Sequence, residues 1–203
     1  MKIPGKSPLF CAISVLSLIG TSNLFTHNLY AWSFGPPAYR TGAPVDKGTC
    51  NAKSCHNSFA TNSGTAQFSI TGPKVYIPGK SVTLTISFPS FTEKVHGFEM
   101  TAVDASGKGV GKFKKFIKTD KTTQVIPLNS KDPFRRGLKT AGKDKYIEQT
   151  FKGIKNSRWK VKWTAPASAT NPVKFYAAGV DANDNGGEDG DYVYTATKQI
   201  TAK

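Results

Sequence analysis

Between Ala66 and Ile200 the chain breaks into seven short runs dense in β-branched and aromatic residues, and this punctuation limits the fold more than any other feature. The runs are Ala66–Thr71, Ser81–Phe88, Lys94–Asp104, Thr122–Pro127, Ser157–Thr164, Pro172–Asp181 and Asp191–Ile200. In Ser81–Phe88, Val82, Leu84, Ile86 and Phe88 share one face and Ser81, Thr83, Thr85 and Ser87 the other, so one side of that strand must meet a core. Pro78-Gly79, Ser106-Gly107 and Asn185-Gly186-Gly187 supply turns. One helical stretch is expected, around Lys145–Lys152. The pattern predicts an all-β fold, an immunoglobulin-like antiparallel β-sandwich of about seven strands spanning 63–203. Residues 32–62, rich in Gly, Pro, Ser, Thr and Asn without an apolar period, predict an irregular arm in front of it.

Residues 1–31 have the form of a secretory signal: Lys2 and Lys6, then an apolar run from Leu9 to Ile19, then a small residue at Ala31. That run falls short of the roughly 20 residues a membrane-crossing helix needs, so no membrane span is expected in the mature chain. Removing the signal takes away Cys11 and His27 and lowers the formal charge from +15 to about +13. An exported chain meets an oxidising compartment, periplasmic or extracellular, in which cysteines pair or bind something. The remaining pair is Cys50 with Cys55. Lysines spread along the whole chain read as a solvated surface or, as the functional alternative, as steering towards an anionic partner such as an acidic redox protein or a membrane face; nucleic acid does not suit an exported protein.

Cys50-Asn51-Ala52-Lys53-Ser54-Cys55-His56 puts two thiols directly ahead of a histidine. Covalent haem attachment requires this order: the thiols add to two vinyl groups, and the adjoining imidazole becomes the proximal iron ligand. The usual spacer has two residues, and this one has four. The other readings of the same residues are a local Cys50–Cys55 disulfide, or zinc held by Cys50, Cys55, His56 and His96. For haem iron, the distal ligand candidates are His96 and Met100, which a strand of period two puts on one face with Phe98 and Ala102. Asp181 to Asp191 opens like a calcium loop, with Gly186 in sixth place, but Tyr192 stands where the bidentate glutamate belongs. A glycine-rich hairpin is the better reading. No serine or cysteine nucleophile with a matching base emerges, so a carrier is expected and not an enzyme.

Several stretches, in order, resemble bacterial reelin-like domains of the group called choice-of-anchor V. They are Gly35-Pro36-Pro37, Thr41-Gly42-Ala43-Pro44, Thr49-Cys50 to Cys55-His56, Tyr76 to Lys80, Gly97-Phe98-Glu99-Met100, Trp163 to Pro166, Phe175 to Gly179, and Gly190 to Tyr194. The resemblance implies a secreted or surface-associated β-sandwich, often with a Cys-x-x-Cys-His element near its start. It also implies that the position of Met100 is an apolar core residue. The expectation from both lines is an exported monohaem c-type cytochrome, a soluble electron carrier in iron oxidation or another periplasmic respiratory chain, docking to an acidic redox partner. The alternative is a non-enzymatic adhesion or matrix-binding module with a Cys50–Cys55 disulfide.

Overall fold

Alternation along Arg158–Thr164 sets the logic of the whole molecule: Trp159, Val161 and Trp163 are buried, while Arg158, Lys160 and Lys162 face solvent. The structure, a computed structural model, describes residues 33–53, 55–126, 142 and 144–203. The expected signal segment, Trp32, Ser54 and Pro127 lie outside the described residues.

Ten strands form among the described residues: β1 (Gln67–Thr71), β2 (Val75–Tyr76), β3 (Ser81–Ser90), β4 (Val95–Val103), β5 (Lys112–Lys115), β6 (Thr123–Val125), β7 (Tyr146–Gln149), β8 (Arg158–Thr164), β9 (Val173–Ala182) and β10 (Tyr192–Ala202). They make two sheets, a four-stranded one in the order β1-β3-β8-β5 and a six-stranded one in the order β2-β10-β9-β4-β7-β6. The fold is thus an all-β sandwich, as the strand pattern predicts. Pairing is antiparallel throughout except where β10 runs parallel to β2.

The seven expected runs each contain a strand, and three strands are additional: β2, β5 and β7. The helix expected around Lys145–Lys152 is corrected. Tyr146–Gln149 is β7, buried on both faces, and only Phe151–Gly153 coils, as a single 3-10 turn. Tertiary pairing with β4 and β6 outweighs the helix preference of Glu and Gln.

The core between the sheets is built on Trp159, Trp163, Phe88, Phe98, Phe113, Phe175, Leu84, Ile86 and Met100, all essentially without solvent contact. Each such side chain contributes roughly 1.5–3 kcal/mol by leaving water. The indole N–H groups stay satisfied: Trp159 donates to Gly153 O at 3.1 Å and Trp163 to Val110 O at 3.1 Å.

Candidate functional site

The arm lies against the outer face of the six-stranded sheet and is pinned at several points. Its backbone is irregular apart from a bridge between Thr41 and Thr49. Glu99, buried on β4, accepts the backbone N–H of Tyr39 at 3.1 Å on Oε1 and that of Arg40 at 2.7 Å on Oε2. Ala38 packs with Ile126 and Tyr146, and Phe59 stacks on Tyr192 at 4.3 Å. At the far end, Asn62 donates its backbone N–H to Val193 O at 2.8 Å. Burial first, then the carboxylates of Glu148 and Asp46, push the Glu99 carboxyl well above its ordinary range.

Held this way, Cys50, Cys55 and His56 all border one cleft between the arm and the sheet, with Val95, Gly97, Val180 and Ala182 among its other walls. The cleft is tight, with about 80 Å³ of internal space against the roughly 300–1,000 Å³ of a usual ligand pocket, so a cofactor-sized group would need the arm to stand further off the sheet. A Cβ on Gly97 would stand 3.1 Å from Gln149 Nε2, so the missing side chain keeps this wall clear. Gln149 is itself held in place, accepting the Phe98 N–H at 2.7 Å.

Cys50 is buried with Ala178, Val180 and Val193. Burial, then Glu99 and Cys55, push its thiol up to about 12, and burial also raises Cys55. Both are free thiols, with no bridge between them. Neutral sulfur packed against carbon marks Cys50 as an unreactive thiol in this arrangement and not a thiolate nucleophile.

His56 is oriented by a carboxylate 135 residues away. Its Nδ1 lies 2.6 Å from Asp191 Oδ2, while Asp191 Oδ1 accepts the Asn183 N–H at 2.9 Å. An ionised carboxylate only accepts, so in this pair Nδ1 is the donor and Nε2 is the ring nitrogen left for another partner. Metal-binding histidines characteristically have this tautomer and this carboxylate support.

The distal candidates fare differently. His96, Phe98, Met100 and Ala102 do share a face, as expected, but Phe98, Met100 and Ala102 belong to the core between the sheets. Met100 is therefore corrected from ligand candidate to core residue: it sits opposite Ala177 on the inner face, and Cys50 packs against Ala178 and Val180 on the outer one. His96 borders the cleft, yet its buried ring lies between Phe88 at 5.2 Å and Phe91 at 4.7 Å. Its Nε2 is 3.2 Å from Asp181 Oδ1, turned to that carboxylate but out of line for a well-formed hydrogen bond. His96 therefore remains the distal candidate nearest the cleft, with its ring committed to Asp181. The zinc reading has no support in the geometry: no group of three or more His, Cys, Asp or Glu able to hold a metal occurs among the described residues.

The Asp181 to Asp191 segment is the connection of the β9–β10 hairpin, and it uses its oxygens internally. Asp181 accepts from Thr92 N, Thr92 Oγ1 and Glu93 N, and Asn183 and Asn185 both donate to Asp189 O. Asp191, Arg40, Glu99 and Gln149 are the site residues that sequence reasoning missed. Only Asp191 had a signal, its place in the acidic loop. No helix among the described residues is long and apolar enough to cross a membrane.

No curated protein matches the chain. The family model of the Reeler domain matches residues 48–185, two thirds of the sequence, from just before Cys50 into the β9–β10 connection. The chain therefore belongs to the Reeler domain family.

Proposed function

We propose that the chain is an exported monohaem c-type electron carrier, working in the periplasm or outside the cell after loss of residues 1–31. The observation that carries this reading is the convergence of Cys50, Cys55 and His56 on one cleft, with Asp191 holding the His56 proton at Nδ1. The donor set suits a covalently bound haem, which the tight cleft would admit only with the arm displaced. Each S–H would add across a vinyl group to form a C–S thioether, and His56 Nε2 would be the proximal ligand. Haem supplies an iron that takes up and returns one electron. The chain's own residues do the rest: Val180 and Ala182 keep water from the cleft wall, and Asp191 makes the imidazole a stronger donor. Arg40, Lys47 and Lys53 give the arm positive charge for an acidic redox partner, as in iron oxidation or another respiratory chain.

The test is export from a host with haem-attachment machinery, followed by absorption spectra and intact mass. A mass increase of one haem, lost in a Cys50→Ser/Cys55→Ser double variant, supports the reading. Colourless protein of unmodified mass overturns it and leaves a secreted adhesion or matrix-binding module.

A further inference from the structure

The four-stranded sheet contains no carboxylate. β1, β3, β5 and β8 carry Lys112, Lys114, Lys115, Arg158, Lys160 and Lys162 and not one Asp or Glu, although the chain has 13 acidic residues. All but Lys115 are exposed on the outer face. Lys114 and Lys162 stand directly opposite each other across β5 and β8, an arrangement that works against pairing of the strands. Beside these cations β3 contributes only hydroxyls, with Thr83 opposite Lys162, Thr85 opposite Lys160 and Ser87 opposite Arg158. No carboxylate among the described residues pairs with any of the five exposed cations. Acidic charge collects elsewhere: Asp184, Glu188, Asp189 and Asp191 all lie in the β9–β10 connection, next to the cleft.

The geometry points to this sheet face as a docking surface for an anionic lipid bilayer. Cations on two neighbouring strands form a flat grid, about 5 Å apart across strands and about 7 Å along them, which matches a planar field of phosphates better than a concave pocket would. The second argument is apolar. Phe116 lies under the ammonium groups of Lys160 and Lys162, at 5.6 and 5.5 Å, and Ile117 beside it is 53% exposed. A soluble polyanion would neutralise the lysines and leave Ile117 in water, whereas a bilayer accepts both. Docked this way, the molecule turns its arm and cleft away from the membrane, because they occupy the opposite outer face of the sandwich.

The test is sedimentation of the full chain with vesicles of phosphatidylcholine alone and of phosphatidylcholine with 30% phosphatidylglycerol, in about 0.1 M salt. Any contribution of the apolar run Leu9 to Ile19 is common to both, so the readout is the anionic-to-neutral ratio of affinities. The ratio is expected to exceed tenfold, to collapse in half-molar salt, and to fall at least tenfold in Lys114→Glu/Lys162→Glu. A control pair on the other side, Lys53→Glu/Lys174→Glu, changes the net charge equally and should retain most of the ratio. Equal loss in both pairs, a ratio near one, or binding to a soluble sulfated polysaccharide without binding to vesicles would each overturn the assignment.

Discussion

Gly179 closes the Phe175 to Gly179 motif, and its replacement by alanine tests how the two sheets meet. The residue lies on β9 opposite Phe98 on β4 and Tyr194 on β10, on the face turned to the other sheet. A Cβ there would stand 2.6 and 2.7 Å from Phe68 Cε2 and Cζ and 2.9 Å from Phe88 Cζ. Carbon atoms rest at roughly 3.5–4 Å, so the Phe68 ring must retreat by about 1 Å. Phe88 has little room to yield, being buried and packed against Tyr194 at 5.8 Å and His96 at 5.2 Å. Overpacking of this kind costs about 1–3 kcal/mol, and with two rings displaced the upper end applies. Alanine recovers about 0.5–1 kcal/mol of backbone entropy relative to glycine in a strand. The net loss is therefore about 2 kcal/mol, a fall in Tm of about 4–8 °C for a domain of this size. Urea unfolding followed by the emission of buried Trp159 and Trp163 measures it directly. Adding Phe68→Leu should return about 1 kcal/mol. A Gly179→Ala variant as stable as the parent, or no coupling with Phe68, would refute this account of the core.

Four further outcomes are expected. Asp120 accepts from Thr122 N, Thr122 Oγ1 and Thr123 Oγ1 at 2.7–2.8 Å; burial opposes ionisation there, but these bonds prevail and hold its carboxyl below the ordinary value of 3.8. Its stabilising effect is thus present above the unfolded-state pKa and lost as pH falls through the folded one, so the stability gap between parent and Asp120→Asn should close between pH 5 and pH 2.5 in urea titrations. Tyr76→Phe removes a hydroxyl that donates to Thr170 O and accepts the Thr170 N–H at 2.8 Å, and should cost about 1–2 kcal/mol in the same assay. Asp191→Asn should lower the haem-to-protein ratio of exported material about tenfold or more; an unchanged ratio and spectrum would count against His56 as proximal ligand. In the unloaded native protein, alkylation should reach Cys55 well before Cys50, and equal rates would contradict the packing of Cys50 on Val180.

The sandwich was readable because β3 and β8 alternate strictly, with an apolar residue at every second place. β5, Lys-Phe-Lys-Lys, offers a single apolar residue, and β2 is two residues long, so neither has a period to detect. β7 misled because period-two reasoning assumes one wet face, and the arm covers the outer side of this sheet. The same cover explains Glu99 and Glu148, a buried cross-strand pair that looks like ordinary surface charge in the sequence. At the site, the cysteines and His56 fall within one seven-residue stretch and announce themselves. Asp191, Arg40 and Gln149 reach the cleft only through strand pairing and arm docking. The period puts Met100 on one face with Phe98 without saying which face looks inward; the family resemblance, which implies a core residue there, had the better signal.

The burial of Cys50 imposes an order of assembly. The residue is 7% exposed, which puts its side chain beyond the reach of a bulky reagent or a maturation enzyme once the arm has settled. Any covalent loading must therefore precede closure. The contacts that close the arm, such as His56 to Asp191, span most of the chain, and such long-range pairings form slowly. Slow closure would leave the thiols accessible for the interval that the proposed haem attachment needs.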